Sequence, residues 1–265
     1  MPACLRLAFA ALVLAATLVG RPAPGAAAEV DLALVLAVDI SNSMDPEEQQ
    51  LQREGFVQAF RSPLVHDAIR SGMLGRIAVA YVEWAGVNNQ QIVVPWTELE
   101  GAEDATSFSD RLAAAPIRRG PRTSISGAID FSVNLLAQRK DEALRQVIDV
   151  SGDGANNQGR SVTQARDDAV AKGITINGLP LLLKRPTGSW DVEKLDEHYR
   201  DCVIGGPGAF MIPVRDRNQF AEAIKTKIIR EIAGLPGDAF LIPAQAASPA
   251  DCAAAENPYW DRWRN

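Results

Sequence analysis

Three short polar clusters carry the side chains that could do chemistry in this chain. They are Asp39-Ile40-Ser41-Asn42-Ser43, Arg122-Thr123-Ser124 and Gly152-Asp153-Gly154. In a turning loop, side chains at i, i+2 and i+4 can converge on one point, here one carboxylate and two hydroxyls. Thr123 and Asp153 would complete an all-oxygen shell. Such a shell, with few formal charges, suits a hard cation: Mg²⁺, or Mn²⁺ or Ca²⁺, and not Zn²⁺. Two carboxylates leave that cation electrophilic, so an open coordination position would attract a partner's carboxylate. The local alternative is that Asp39 and Ser43 cap the next helix and satisfy turn amides.

The elements that must position these clusters alternate along the chain. Val30 to Val38 is short and almost continuously apolar, the pattern of a strand buried on both faces. Asp45-Pro46-Glu47-Glu48 then reads as an N-cap, an N1 proline and an acidic first turn. The helix it opens aligns Leu51, Phe56, Val57 and Phe60 and ends near Ser62-Pro63. Strands follow at Arg76 to Glu83 and Gln91 to Pro95, joined too tightly for a crossover helix, so they predict an antiparallel edge. Helices are predicted over 103–115 and 124–138, a buried strand over 146–151 and a helix over 161–172. The pattern continues with a strand over 174–183, a short helix over 192–199, a strand over 209–214 and a helix over 216–233. The expected fold is α/β: a doubly wound, mostly parallel sheet with one antiparallel edge strand and helices on both faces. Ligands of open sheets bind where the carboxyl ends of strands meet the following loops, and the three clusters fall near such places.

At this point the sequence resembles the von Willebrand factor A domain family, whose metal-ion-dependent adhesion site (MIDAS) combines Asp-x-Ser-x-Ser, a later threonine and a later aspartate. The matching positions are Asp39, Ser41, Ser43, Thr123 and Asp153. The resemblance implies that Ser41, Ser43 and Thr123 contact a divalent cation through hydroxyls, directly or through water, with Asp39 and Asp153 acting mostly through water. It also implies a module that binds a protein partner through the metal. Ser151-Gly152 replaces the apolar residues common before the second aspartate. The match covers about 29–234, and together with Val-Asp-Ile-Ser-Asn-Ser-Met, Ser-Gly-Asp-Gly and Asp-Cys-Val-Ile-Gly-Gly-Pro-Gly it is similar to an uncharacterised bacterial group of exported A-domain-like proteins.

Composition narrows the remaining choices. In 265 residues, 47% are hydrophobic, 23% charged and the net charge is −6, which excludes a mainly disordered chain, a collagen and a coiled coil. The acidic balance argues against non-specific nucleic-acid binding. Arg6, an apolar run from Leu7 to Val19 and Ala26-Ala27-Ala28 describe a secretory signal peptide, cleaved after Ala28, which predicts a periplasmic or secreted protein with no stable membrane span. Residues 29–234 are the expected domain, and 235–265 a tail either wrapped on the surface or disordered, with Trp260 and Trp263 favouring some docking. Loss of Arg6 and Arg21 leaves 25 bases against 33 acids, a net charge of −8. Cys202 and Cys252 are then an even pair in an exported chain, which predicts a disulfide, with two unpaired thiols as the alternative.

An enzyme is not expected. A haloacid-dehalogenase-like phosphohydrolase also places an aspartate after its first strand, but position 41 is Ser where the acid/base aspartate would stand, and Lys184 is a weak candidate for its lysine. No Gly-x-Ser-x-Gly elbow or phosphate-binding loop is present. His66 and His198, the only histidines, read as surface or capping residues. A third possibility is a structural or assembly protein whose metal only tethers loops. An exposed Trp84 beside the Val87–Asn89 turn would fit either a partner surface or packing.

Overall fold

A computed structural model describes residues 30–139, 141–183, 194–234, 242–243 and 252. The signal-peptide reading of 1–28, Lys184, and the Trp260–Trp263 pair lie outside the described residues. A seven-stranded sheet runs β3-β2-β1-β4-β5-β6-β7. Its centre is β1 (Leu32–Asp39), buried at every position, with β2 (Ile77–Trp84) and β4 (Gln146–Gly152) parallel on either side. Next to β4 come β5 (Thr175–Pro180) and then the two-residue β6 (Phe210–Met211), both parallel. As expected, β3 (Gln90–Leu99) is an antiparallel edge. The other edge adds a second antiparallel strand, β7 (Ile242–Pro243), which comes from the tail.

Alternation along the buried strands divides the apolar residues between two faces. Ala33, Val35, Ala37, Ile148, Val150 and Ile176 meet α4 (Ile125–Ala137) and α5 (Val162–Val170). Leu32, Leu34, Leu36, Val79 and Leu179 meet α1 (Pro46–Phe60), α2 (Pro63–Arg70), α3 (Ala102–Ala114) and α7 (Phe220–Ala233). Covering both faces is what lets a parallel sheet consist of nearly continuous apolar strands.

Several expectations need adjustment. Pro63 does not only end a helix: it takes the first position of α2, where its missing N–H costs nothing. The expected strand over 209–214 contracts to Phe210–Met211, with Val214 bridging Leu181 alone. The helix over 192–199 is α6 (Leu195–His198), continued by a one-turn π-helix, Tyr199–Val203. Trp84 is fully buried at the end of β2, where it packs with the α4 side of the core, so it is no part of an exposed surface. Both histidines are buried as well: His66 Nε2 donates to Phe60 O at 2.8 Å, and burial pushes His198 down to about 4.

The predicted disulfide is present. Cys202, in the π-helix, is bonded to Cys252 of the tail, 50 residues away. Among the described residues, no helix is long and apolar enough to cross a membrane.

Candidate metal centre

β1 ends at Asp39, and the chain must turn there because the strand has reached the edge of the core. Asp39 Oδ1 accepts the backbone N–H of Ser41 at 2.7 Å, closing an Asx turn that aims the loop back over the strand end. Ser41 Oγ and Ser43 Oγ lie 2.6 Å apart, and Ser43 Oγ donates to Asp153 Oδ1 at 2.6 Å. The i, i+2, i+4 spacing therefore does bring its three side chains together, and the loop after β4 supplies the second carboxylate.

Thr123 arrives by a different route, from the start of α4 and not from a strand end. Ser41 bridges Gly120, Gly120 N donates to Ile40 O at 2.9 Å, and Ser124 N donates to Ala85 O at 2.8 Å. Asn157 then clamps Thr123 from the third loop, its Oδ1 accepting Thr123 N and its N–H donating to Thr123 O. Thr123 Oγ1 and Ser43 Oγ end up 3.8 and 4.0 Å from one point beside Gly154. Arg122 holds a left-handed φ of 70° immediately before Thr123, a strained conformation for a non-glycine residue.

A polar bracket fixes the loop from behind. Gln52 Nε2 donates to Asp39 O and Gln49 Nε2 to Ile40 O, while Ser151 Oγ donates to Gln52 Oε1 at 3.0 Å. Ser151, at a position where the resembled family is apolar, is thus tied through α1 to the backbone of Asp39. From the front, Arg119 donates to the carbonyls of Asn42 and Met44. These residues were not among the expected site residues; the polar Gln49, Gln52 and Arg53 on the inward face of α1 were the available signal.

The electrostatics are uneven. Asp39, Ser41 and Thr123 are buried, whereas Ser43 is exposed and Asp153 half-buried, so the cluster opens to solvent on one side. Asp39 Oδ2 is buried without a hydrogen-bond partner among the described residues. Burial first, and the nearby Asp153 carboxylate second, push the Asp39 carboxyl well above its usual range. A divalent cation among the hydroxyls would relieve both causes at once, since it supplies the charge that the buried acid lacks. The donor set passes the same test: two carboxylates and three hydroxyls are hard oxygen donors. Ser41, Ser43 and Thr123 would hold such an ion, with Asp39 and Asp153 setting its charge balance.

Tyr199 is a further residue that sequence reasoning missed. Its hydroxyl is buried beside Asp39, without a hydrogen-bond partner among the described residues. Burial raises its pKa, and the charges of Asp39, Asp153 and Asp149 add to the rise.

A family model described as "Protein of unknown function (DUF1194)" matches residues 29–236. Compared with curated proteins, the chain has no match. Solved structures similar in fold include a von Willebrand factor type A protein from Catenulispora acidiphila, at 10% identity and TM-score 0.54, covering 77% of this chain and 43% of that one. The pilus adhesin SpaC from Lactobacillus rhamnosus GG follows at 12% identity and TM-score 0.58, covering 77% and 31%. Proximal thread matrix protein 1 from the mussel byssus, with a zinc-occupied MIDAS motif, matches at 12% identity and TM-score 0.50, covering 75% and 46%. The chain spans less than half the length of each of these three.

Proposed function

We propose a function from one premise: the chain belongs to the DUF1194 family of proteins of unknown function and has the fold of a von Willebrand factor A domain. It is an exported binding module that coordinates a divalent cation, Mg²⁺ or else Mn²⁺ or Ca²⁺, through Asp39, Ser41, Ser43, Thr123 and Asp153. A protein partner completes the shell with a carboxylate. The observation that carries this reading is the buried, unpartnered Asp39 Oδ2 beside the hydrogen-bonded chain Ser41–Ser43–Asp153. The ion would act as a Lewis acid toward the partner's carboxylate, and the protein's part is to hold it in an open position.

The surface around the cluster supports an acidic partner. Arg118 and Arg122 are exposed on the loop that leads into Thr123, and neither makes a salt bridge among the described residues. Ile117 and Val87, two of the few large apolar side chains left exposed, flank the same loops. Guanidinium groups suit carboxylates in bidentate pairs, so a segment with more than one acid fits this face best. Binding is favoured over catalysis because Ser41 stands where a phosphohydrolase would need its second acid. Export rests on the signal-peptide pattern of residues 1–28.

Isothermal titration of the wild-type chain and Asp39→Ala with Mg²⁺ tests the metal, with Mn²⁺, Ca²⁺ and Zn²⁺ as further arms. Heats from wild type that vanish in the variant are expected; equal heats from both would sink the reading. A pull-down from the periplasmic fraction with Mg²⁺ or EDTA then separates a partner-binding metal from one that only tethers loops.

A further inference from the structure

Tyr199 presents a problem of energetics. A phenylalanine would fill the same space, yet the chain buries a hydroxyl without a hydrogen bond among the described residues, which is destabilising unless something answers it. The residue is fully buried at the start of the π-helix, and its ring lies over Gly178 of β5, where a Cβ would come within 2.8 Å of its Cδ1. One-turn π-helices recur at functional sites because the extra residue redirects a side chain.

Its hydroxyl is directed at the metal cluster. A Cβ on Gly152 would stand 3.0 Å from Tyr199 Oη and 2.9 Å from Asp39 Oδ2, so these two buried oxygens flank one point from which a side chain is missing. Both lack a partner among the described residues. Gly152 has no left-handed φ to require a glycine. What requires it is the space: alanine there would touch both oxygens more closely than van der Waals contact permits. Gly152 is also part of the Ser151-Gly152 departure from the resembled family.

We propose that Tyr199 is a positioning residue of the metal centre, and that Gly152 is a glycine in order to admit its hydroxyl. Across the space that the missing side chain leaves, the Tyr199 hydroxyl is the donor that answers Asp39 Oδ2, bridging to it through a water or by a small shift of either side chain. That bridge holds the carboxylate in the rotamer that faces the hydroxyls of Ser41 and Ser43, as outer partners of metal-site carboxylates do. The inference rests on the proposed metal reading and assigns it a residue on the far side of the sheet from α1.

Titration calorimetry of the full chain with Mg²⁺ tests it on four proteins: wild type, Tyr199→Phe, Gly152→Ala and the double variant. Tyr199→Phe is expected to bind Mg²⁺ about tenfold more weakly, with a melting temperature in EDTA no lower than wild type. A purely structural tyrosine would lower that melting temperature and leave the affinity alone. The double variant is expected to be no weaker than the worse single variant, because both act on one bridge. Wild-type affinity in Tyr199→Phe, or additive losses in the double variant, overturns the proposal. Should Gly152→Ala fail to fold, Tyr199→Phe decides alone. Absence of Mg²⁺ heats from wild type would defeat the metal reading and this inference together; heats from wild type and unchanged Tyr199→Phe defeat only this inference.

Discussion

β4 carries one aspartate and the loop after it another, and the two have opposite surroundings. Asp149, midway along the strand, faces α7, where Lys227 Nζ lies 2.9 Å from its Oδ1 and pairs also with Glu231. Past the strand's end, Asp153 joins Asp39, and among the described residues no Lys or Arg forms a salt bridge with Asp39. Glu83 follows the first pattern, paired with Arg53, both buried. A buried charge is tolerated when it is paired. Within the strand this chain supplies the cation itself, and at the end of β1 Asp39 has no such salt bridge among the described residues.

The sharpest way to break that contrast is to exchange the consequences. Lys227→Met strands two carboxylates in the core and is expected to cost about 4 kcal/mol in urea unfolding, while Mg²⁺ affinity of the folded fraction stays within about threefold. Asp39→Asn is expected to do the reverse, abolishing Mg²⁺ binding and leaving the EDTA stability equal to wild type or higher. If Asp39→Asn unfolded the protein instead, Asp39 would be a structural acid like Asp149.

A smaller effect concerns the Cys202–Cys252 link, which ties the tail to the turn that carries Tyr199. Its reduction is expected to cost about 3 kcal/mol in denaturant unfolding.

A pH dependence is expected to be similar in size. Burial first and Asp149 second raise Glu231 to about 7 from the ordinary 4.5. The folded state then holds a proton that the unfolded state has released, so this contribution is complete below pH 4.5 and is lost as pH rises through about 7. Stability should fall by about 3 kcal/mol across that window. His198, lowered to about 4, works in the opposite sense between that value and 6.5. The readout is therefore the difference between wild type and Glu231→Gln, which should remove the loss; a parallel pH curve would contradict the assignment.

Much of this was legible from residue order. The apolar run before Asp39 implied a strand buried on both faces, and the i, i+2, i+4 spacing of Asp39, Ser41 and Ser43 implied convergence, because both are properties of neighbouring residues. Long-range placement was less legible. Nothing near Thr123 states that Gly120 will pair with Ser41, and nothing near Tyr199 states that its hydroxyl will meet Asp39 over Gly152. Trp84 read as exposed because it precedes a polar turn, yet it is the last residue of a central strand and the sheet covers it. The polar residues Gln49, Gln52 and Arg53 weakened the helical pattern of α1 for a reason visible only in three dimensions: two of them hold the loop after β1 and the third pairs with Glu83.

Anomalous diffraction from crystals grown with Mn²⁺ tests the central claim most directly. The account predicts one strong peak among the hydroxyls of Ser41, Ser43 and Thr123, absent from Asp39→Asn crystals. Full-strength density elsewhere on the protein, with none beside those three hydroxyls, would contradict it.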